Sequence, residues 1–265
     1  MKKTIAIIGC GNLGTAIAKG IRDKGGDSYH IIATRNKIDL LLPLQNIGVE
    51  VTNNNVDAVN HSNIILLAVK PYMVASVLEE IRYALDENKL VVSLATGISI
   101  GTMQSIVGSH IPVLRAMPNT ATGVGESLTC ICANDDKAKS RIDDVNDLFD
   151  LIGETVVIRE ELMDGATVLG ACGIAYVMRF IRAMVQGGIE IGFDAATASR
   201  IANQTVKGAA QLLILGQTHP EQEIDKVTTP RGCTIAGLNE MEHQGFSSSL
   251  IKGIITSFRK IEETR

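Results

Sequence analysis

A chain of 265 residues that is 45% hydrophobic and 20% charged has the length of one large or two smaller globular domains, which excludes disorder. Trp is absent and aromatics supply only 3%, so the core must be built from Ile, Leu, Val, Ala and Met, and base-stacking readout of nucleic acid is excluded. A net charge of -4 gives no field for polyanions; a small charged ligand held by a local site fits, and nucleic acid does not.

The chain opens with Thr4–Ile8, an apolar run stopped at Gly9, which reads as a strand rather than a signal peptide. Short β-branched runs follow at Ile31–Ala33, Val49–Val51, Ile64–Ala68, Leu90–Ser93 and Val113–Ala116. Their spacing of roughly 20 to 25 residues is the βαβ rhythm of a parallel sheet. Between them Leu13–Lys24, Leu40–Ile47 and Met73–Ala84 carry apolar residues at helical spacing, with Pro71 where a helix would begin. Leu128–Ala133 and Thr155–Ile158 flank a charged helix, Asp135–Leu151, and extend the sheet at its edge.

After Glu160 strand signals cease, and Leu162–Ile191, Ala195–Leu215, Pro220–Val227, Thr234–Gln244 and Phe246–Glu263 all read as helices. The expected fold is therefore α/β, a doubly wound Rossmann-type sheet over residues 1–160, followed by an all-α domain over residues 161–265. Leu162–Ile191 is apolar around most of its circumference, which implies burial on all sides and hence an intimate homodimer. No uncharged stretch reaches the roughly 18 to 20 apolar residues of a bilayer span, Leu162–Val177 with Asp164 inside it being the nearest, so no membrane is expected. Cys10, Cys130, Cys132, Cys172 and Cys233 are odd in number and lack a CxxC pair, so neither a disulfide framework nor a metal site is expected, and a reducing cytoplasm is.

Gly9-Cys10-Gly11-Asn12-Leu13-Gly14 lies between a strand and a helix, which gives GxGxxG its mechanical meaning of a tight turn and helix N-terminal amides facing a pyrophosphate. The second strand ends in Ala33-Thr34-Arg35-Asn36-Lys37, with no acid before Asp39 to bind the ribose hydroxyls of NAD. Arg35 and Lys37 supply charge, and Thr34 and Asn36 hydrogen bonds, for the 2′-phosphate of NADPH, with NADH as the second option; solvated loop charges are the alternative. Lys70, in Ala68-Val69-Lys70-Pro71, falls near the ribose or phosphates, and Ala116-Met117-Pro118-Asn119-Thr120 near the nicotinamide, or else both loops are turn chemistry alone.

Thr229-Pro230 reads as a helix start, with Thr229 as N-cap and Pro230 at N1. That leaves the amides of Gly232, Cys233 and Thr234 unscreened, an N-terminus suited to a carboxylate.

Over essentially its whole length the sequence resembles the pyrroline-5-carboxylate reductase family. The matching pieces are Ile8–Gly14, Ala68–Pro71, Arg115–Thr120, His219-Pro220 and Val227–Leu238. The resemblance implies reduction of 1-pyrroline-5-carboxylate to proline, the last step of proline synthesis, on a Rossmann domain with a helical dimerisation domain. It also implies homodimers that in some members gather five to a decamer. It places pyrophosphate on Gly11, Asn12 and Leu13, the 2′-phosphate near Thr34, Arg35 and Asn55, and the cofactor along Ala68, Lys70 and Pro71. Ala95 and Asn119 would flank the nicotinamide end. The substrate carboxylate falls on Gly232, Cys233 and Thr234 with Thr229 nearby, and Thr234 matches the catalytic threonine whose hydroxyl faces the pyrroline nitrogen.

A protonated cyclic imine is already an electrophile, so the reaction asks for positioning rather than acid–base machinery. A β-hydroxyacid dehydrogenase, by contrast, needs a lysine on the long helix, and no lysine occurs between Lys139 and Lys207. Four departures bear on the substrate: Arg231 stands where the family has glycine, Gln217 where it often has glutamate, and Ala171 and Ile174 depart within Gly170-Ala171-Cys172-Gly173-Ile174-Ala175-Tyr176, which replaces a Ser-Gly-Pro-Ala-Tyr type run. A reductase of another cyclic imine or oxo acid, and a non-catalytic NADP sensor, remain as alternatives. Cys10 and Cys233, both in ligand loops, are candidates for oxidation.

Overall fold

The computed structural model of the protein describes residues 3–263. Among them eight strands form one sheet: β1 (Lys3–Ile8), β2 (Tyr29–Thr34), β3 (Glu50–Thr52), β4 (Ile64–Leu67), β5 (Leu90–Ser93), β6 (Val113–Met117), β7 (Ser127–Ala133) and β8 (Gly153–Val157). Every expected strand forms, with ends within two residues of expectation. The order is β3-β2-β1-β4-β5-β6-β7-β8, parallel from β3 to β6. The chain leaves β1 in opposite directions toward β2 and β4, so a crevice opens beyond their carboxyl ends.

Only β7 runs against its neighbour β6. The connection from Met117 to Ser127 is too short for a crossover, which needs about a dozen residues or more, so the chain can only turn back. Strand pleating sorts the core into two layers. Ile5, Ile7, Leu66 and Leu114 face one side, and Ala6, Ile8, Leu67 and Val113 the other.

The helices of this half are α1 (Asn12–Gly25), α2 (Leu42–Gln45), α3 (Asn55–Asn60), α4 (Val74–Ile81), α5 (Ile100–Val107), α6 (Asp136–Lys139) and α7 (Ile142–Phe149). Three expectations change. Leu40–Ile47 shrinks to the single turn α2 behind a 3-10 turn, Ile38–Leu41. Asp135–Leu151 breaks into α6 and α7 at Ser140-Arg141. Helices α3 and α5 carry too few residues for a clear apolar period, but each has a cap legible in sequence: Asn54 accepts from Asp57 N–H and Ser99 from Thr102 N–H.

From Glu160 one helical run continues to Glu190 through a 3-10 turn (Glu160–Leu162), α8 (Met163–Ala166), a π-helical stretch (Thr167–Cys172) and α9 (Gly173–Glu190). Then follow α10 (Ala195–Gly216), α11 (Pro220–Lys226), α12 (Cys233–His243) and α13 (Phe246–Glu262). The chain divides into two compact units, one running to Ile174 and resuming at Phe258, the other Ala175–Ser257. Helices α9, α11, α12 and α13 bury no residue within the chain, and α10 only Ala198 and Ala202. No uncharged stretch in the Glu160–Glu190 run reaches the length of a bilayer span, Asp164 lying inside it, yet by length and composition alone the run is apolar enough to cross one, with a mean hydropathy of 1.6 over a window that is 6% buried within the chain.

Candidate active site

Beyond the carboxyl ends of β1, β2 and β4 lies a groove of about 700 Å³. Its walls bring together Gly9, Gly11, Asn12, Leu13, Thr34, Arg35, Asn55, Ala68, Lys70, Pro71 and Ala95, residues drawn from 87 positions of sequence. It also includes residues not anticipated: Val69, Leu94 and Thr96, whose sequence signal is that they stand just beyond strand ends, and Met73 and Val77 from the turn and helix that follow Pro71. Gly9 has φ +79, and a Cβ there would lie 2.2 Å from Val69 Cγ1, so both conformation and space demand glycine. Gly11 is the N-cap of α1, and no side chain caps the helix. Its first-turn amides are left for an outside acceptor, which suits a pyrophosphate.

At the far wall Thr34 is 1% exposed. Its Oγ1 accepts from Gly9 N–H (3.3 Å) and donates to Asn55 Oδ1 (2.6 Å). Asn55 Nδ2 donates to Glu80 Oε2 (3.0 Å). The hydroxyl proton of Thr34 is thus spent inside the protein, and Thr34 orders the wall rather than donating into the groove. Arg35 is half-buried and Lys37 exposed, with no carboxylate in the wall beside them. This donor set fits a dinucleotide bearing a 2′-phosphate.

At the other end Ala95 is buried behind β5, and Thr120 lines the groove. Asn119 does not: its N–H donates to Ser127 Oγ (3.1 Å), Oδ1 accepts from Ala121 N–H (2.9 Å) and Nδ2 donates to Gly170 O (3.4 Å). Gly170 sits in the π-helical stretch. The departures Ala171 and Ile174 fall within and just beyond that stretch. Arg115, 1% exposed on β6, pairs with Glu160 Oε1 (3.4 Å) and Asp164 Oδ1 (3.7 Å). Glu160 also accepts from Ile100 N–H (2.7 Å) and from the amide of Asn134, so one carboxylate joins β6, the start of α5 and the chain after β7.

In the helical unit the segment before α12 differs from expectation. Gly232, not Thr229, is the N-cap, and no side chain caps the helix. Thr229-Pro230-Arg231-Gly232 is a turn closed by Gly232 N–H to Thr229 O (2.9 Å), with Arg231 at φ +57. Pro at the second corner and a left-handed third corner make it a type II turn, whose third residue is usually glycine. A Cβ on Gly232 would lie 2.5 Å from Thr229 Oγ1, so the turn packs Thr229 directly on that backbone. The amides of Cys233 and Thr234 open α12 in its uncapped first turn, with Cys233 exposed and Thr234 half-buried. Gln217, at φ +48, is the C-cap of α10, and His219 caps α11, its Nδ1 accepting from Glu221 N–H (3.3 Å).

Cys10, named as oxidation-prone, is corrected. It is fully buried, its thiol 3.7 Å from Thr15 Oγ1, and burial pushes its pKa up, which suppresses the reactive thiolate.

Two family models match the chain: pyrroline-5-carboxylate reductase dimerisation over residues 160–264 and NADP oxidoreductase, coenzyme F420-dependent, over residues 4–97. Pyrroline-5-carboxylate reductase 2 of Dictyostelium discoideum is 41% identical, with 99% of this chain and 93% of that protein covered. Pyrroline-5-carboxylate reductase 1 of the same organism is 46% identical over 97% of this chain, which spans about half of that longer relative (49%). Among solved structures, Plasmodium falciparum pyrroline carboxylate reductase with NADP bound superposes with a TM-score of 0.90 at 28% identity, covering 99% of this chain and 98% of that one.

Proposed function

The chain belongs to the pyrroline-5-carboxylate reductase family, and from that membership we propose that it reduces the C=N bond of 1-pyrroline-5-carboxylate to L-proline with NADPH. The observation that carries the cofactor is the uncapped N-terminus of α1 in one groove with Arg35. Gly9, Gly11, Asn12 and Leu13 would hold the pyrophosphate, and Arg35, Lys37 and Asn55 the 2′-phosphate. Ala68, Lys70 and Pro71 would line the remaining length, with Ala95 at the nicotinamide end and Asn119 bracing the loop behind it. NADPH, when bound, supplies a hydride.

What supports the substrate is the segment Thr229–Thr234. A turn that packs Thr229 onto a glycine backbone engages the Gly232 amide itself and leaves the uncapped amides of Cys233 and Thr234 to receive a carboxylate. Thr234 would then hydrogen-bond the ring nitrogen and hold the imine carbon for attack at about 3 to 3.5 Å. Residues 1–160 are taken as the nucleotide domain and 161–265 as the substrate and dimerisation domain. A homodimer covers the apolar helices, and a decamer of five dimers is the larger assembly. The free thiols Cys10, Cys130, Cys132, Cys172 and Cys233 fit a cytoplasmic setting.

The test is loss of reduced-nicotinamide absorbance on adding pyrroline-5-carboxylate, with proline as product. Turnover only with six-membered imines or oxo acids would mark altered specificity. NADPH binding without turnover of any of them would mark a sensor.

A further inference from the structure

The hydrogen-bond chain at the far wall of the groove has one direction, and Glu80 sets it. Gly9 N–H can only donate, so Thr34 Oγ1 accepts there and keeps its proton for a second partner. That hydroxyl could still meet either end of the Asn55 amide, since oxygen accepts and nitrogen donates to a remaining lone pair. A carboxylate cannot: ionised, it only accepts. With Glu80 Oε2 at 3.0 Å, the nitrogen of Asn55 must face Glu80 and the oxygen must face Thr34 (2.6 Å). Asn55 is the first residue of α3, whose start is held by the Asn54 cap, and its side chain is fixed at both ends, by Thr34 and by Glu80.

We propose that Glu80, which lines no part of the groove, is a positioning residue for the 2′-phosphate of the cofactor and acts through Asn55. One Nδ2 hydrogen goes to Glu80, and the other remains for an anionic ligand. In the flipped amide an oxygen would stand where that N–H stood and repel the phosphate. This inference rests on the cofactor assignment above and deepens it. The negative charge of Glu80 opposes its geometric role, because a carboxylate near a phosphate weakens binding; the two effects separate when charge and acceptor are removed one at a time.

The test is calorimetric binding of ADP-ribose and 2′-phospho-ADP-ribose to the full chain, a readout independent of turnover. Glu80→Ala is expected to weaken 2′-phospho-ADP-ribose roughly three- to tenfold, the scale of one net hydrogen bond, with less than about twofold change for ADP-ribose. Glu80→Gln, which keeps an acceptor and removes the charge, is expected to bind 2′-phospho-ADP-ribose at least as tightly as the unaltered chain, with ADP-ribose unchanged. In an Asn55→Ala background Glu80→Ala is expected to add nothing further. Unchanged binding in Glu80→Ala, a loss of 2′-phospho binding in Glu80→Gln as large as that in Glu80→Ala, or an undiminished Glu80 effect without Asn55 each overturns the proposal. Equal loss of both probes in Glu80→Ala points to general damage and also overturns it. If the unaltered chain binds neither probe, the cofactor assignment itself fails.

Discussion

Thr234 stands in the first turn of α12, where a hydroxyl and an amide project from the same uncapped end. Its replacement by Ala is expected to lower kcat by about 10- to 100-fold, the usual scale for a group that hydrogen-bonds a reacting atom, while the NADPH dissociation constant stays put. Equal losses in both would remove Thr234 from the substrate's side of the reaction. The cysteines divide by burial. Cys233 is exposed, whereas burial raises the pKa of Cys10 and Cys130 and pushes Cys132 up to about 11. Maleimide labelling of the native protein should therefore modify Cys233 well before Cys10, Cys130 or Cys132, read by peptide mass. At this scale residue types were legible and their commitments were not. Thr34 reads as a phosphate donor from its neighbours, yet its proton is spent on Asn55, a partner 21 residues away. Asn119 likewise reads as a groove residue and is engaged by Gly170, 51 residues on.

At the scale of elements, Lys3 on β1 and Asp144 on α7 tie a strand to a helix through a 2.7 Å ion pair that Arg141 also joins. Burial raises the pKa of Asp144, but hydrogen bonds from Lys3 and Arg141 outweigh it, and the net shift is downward. Lys3 moves up, chiefly through its hydrogen bond to Asp144. The stabilisation is therefore complete above the unfolded carboxylate pKa of about 4 and is lost as pH falls through the lower folded value. On the alkaline side it is complete below about 10.4 and is lost above that, through the raised lysine value. Both partners are partly exposed, so the pair contributes less than about 1 kcal/mol. Asp144→Asn should lower Tm by about 1–3 °C near pH 7, with the gap closing as pH falls below the lowered Asp144 value. A gap independent of pH would mean that packing, not charge, was lost. Strands were legible because β-branched runs alternate between two cores. Short α3 and α5 were not, because six or eight residues show too little period, and only their caps, Asn54 and Ser99, announced them.

At the scale of the whole molecule, the helical unit presents Met178, Leu212, Ile214 and Leu215, each more than half exposed, and four of its helices bury nothing within the chain. An apolar surface of that kind needs a partner, and a homodimer supplies one. Sedimentation should give a dimer or its multiple, with a Tm that rises with protein concentration. Met178→Glu together with Leu212→Glu should yield monomer with depressed Tm, whereas a stable monomer of the unaltered chain would refute the assembly. The sequence by itself determined the doubly wound sheet, the GxGxxG turn, the absence of an acid after β2 and the family, because each is a matter of local period or of residues adjacent in the chain. Tertiary structure decided the reversal of β7, the turn that makes Gly232 the cap of α12, the capture of Asn119 by a π-helical carbonyl and the Thr34–Asn55–Glu80 chain. Those depend on which donors and acceptors meet across the fold, and a buried polar group takes whatever partner the packing brings within about 3 Å.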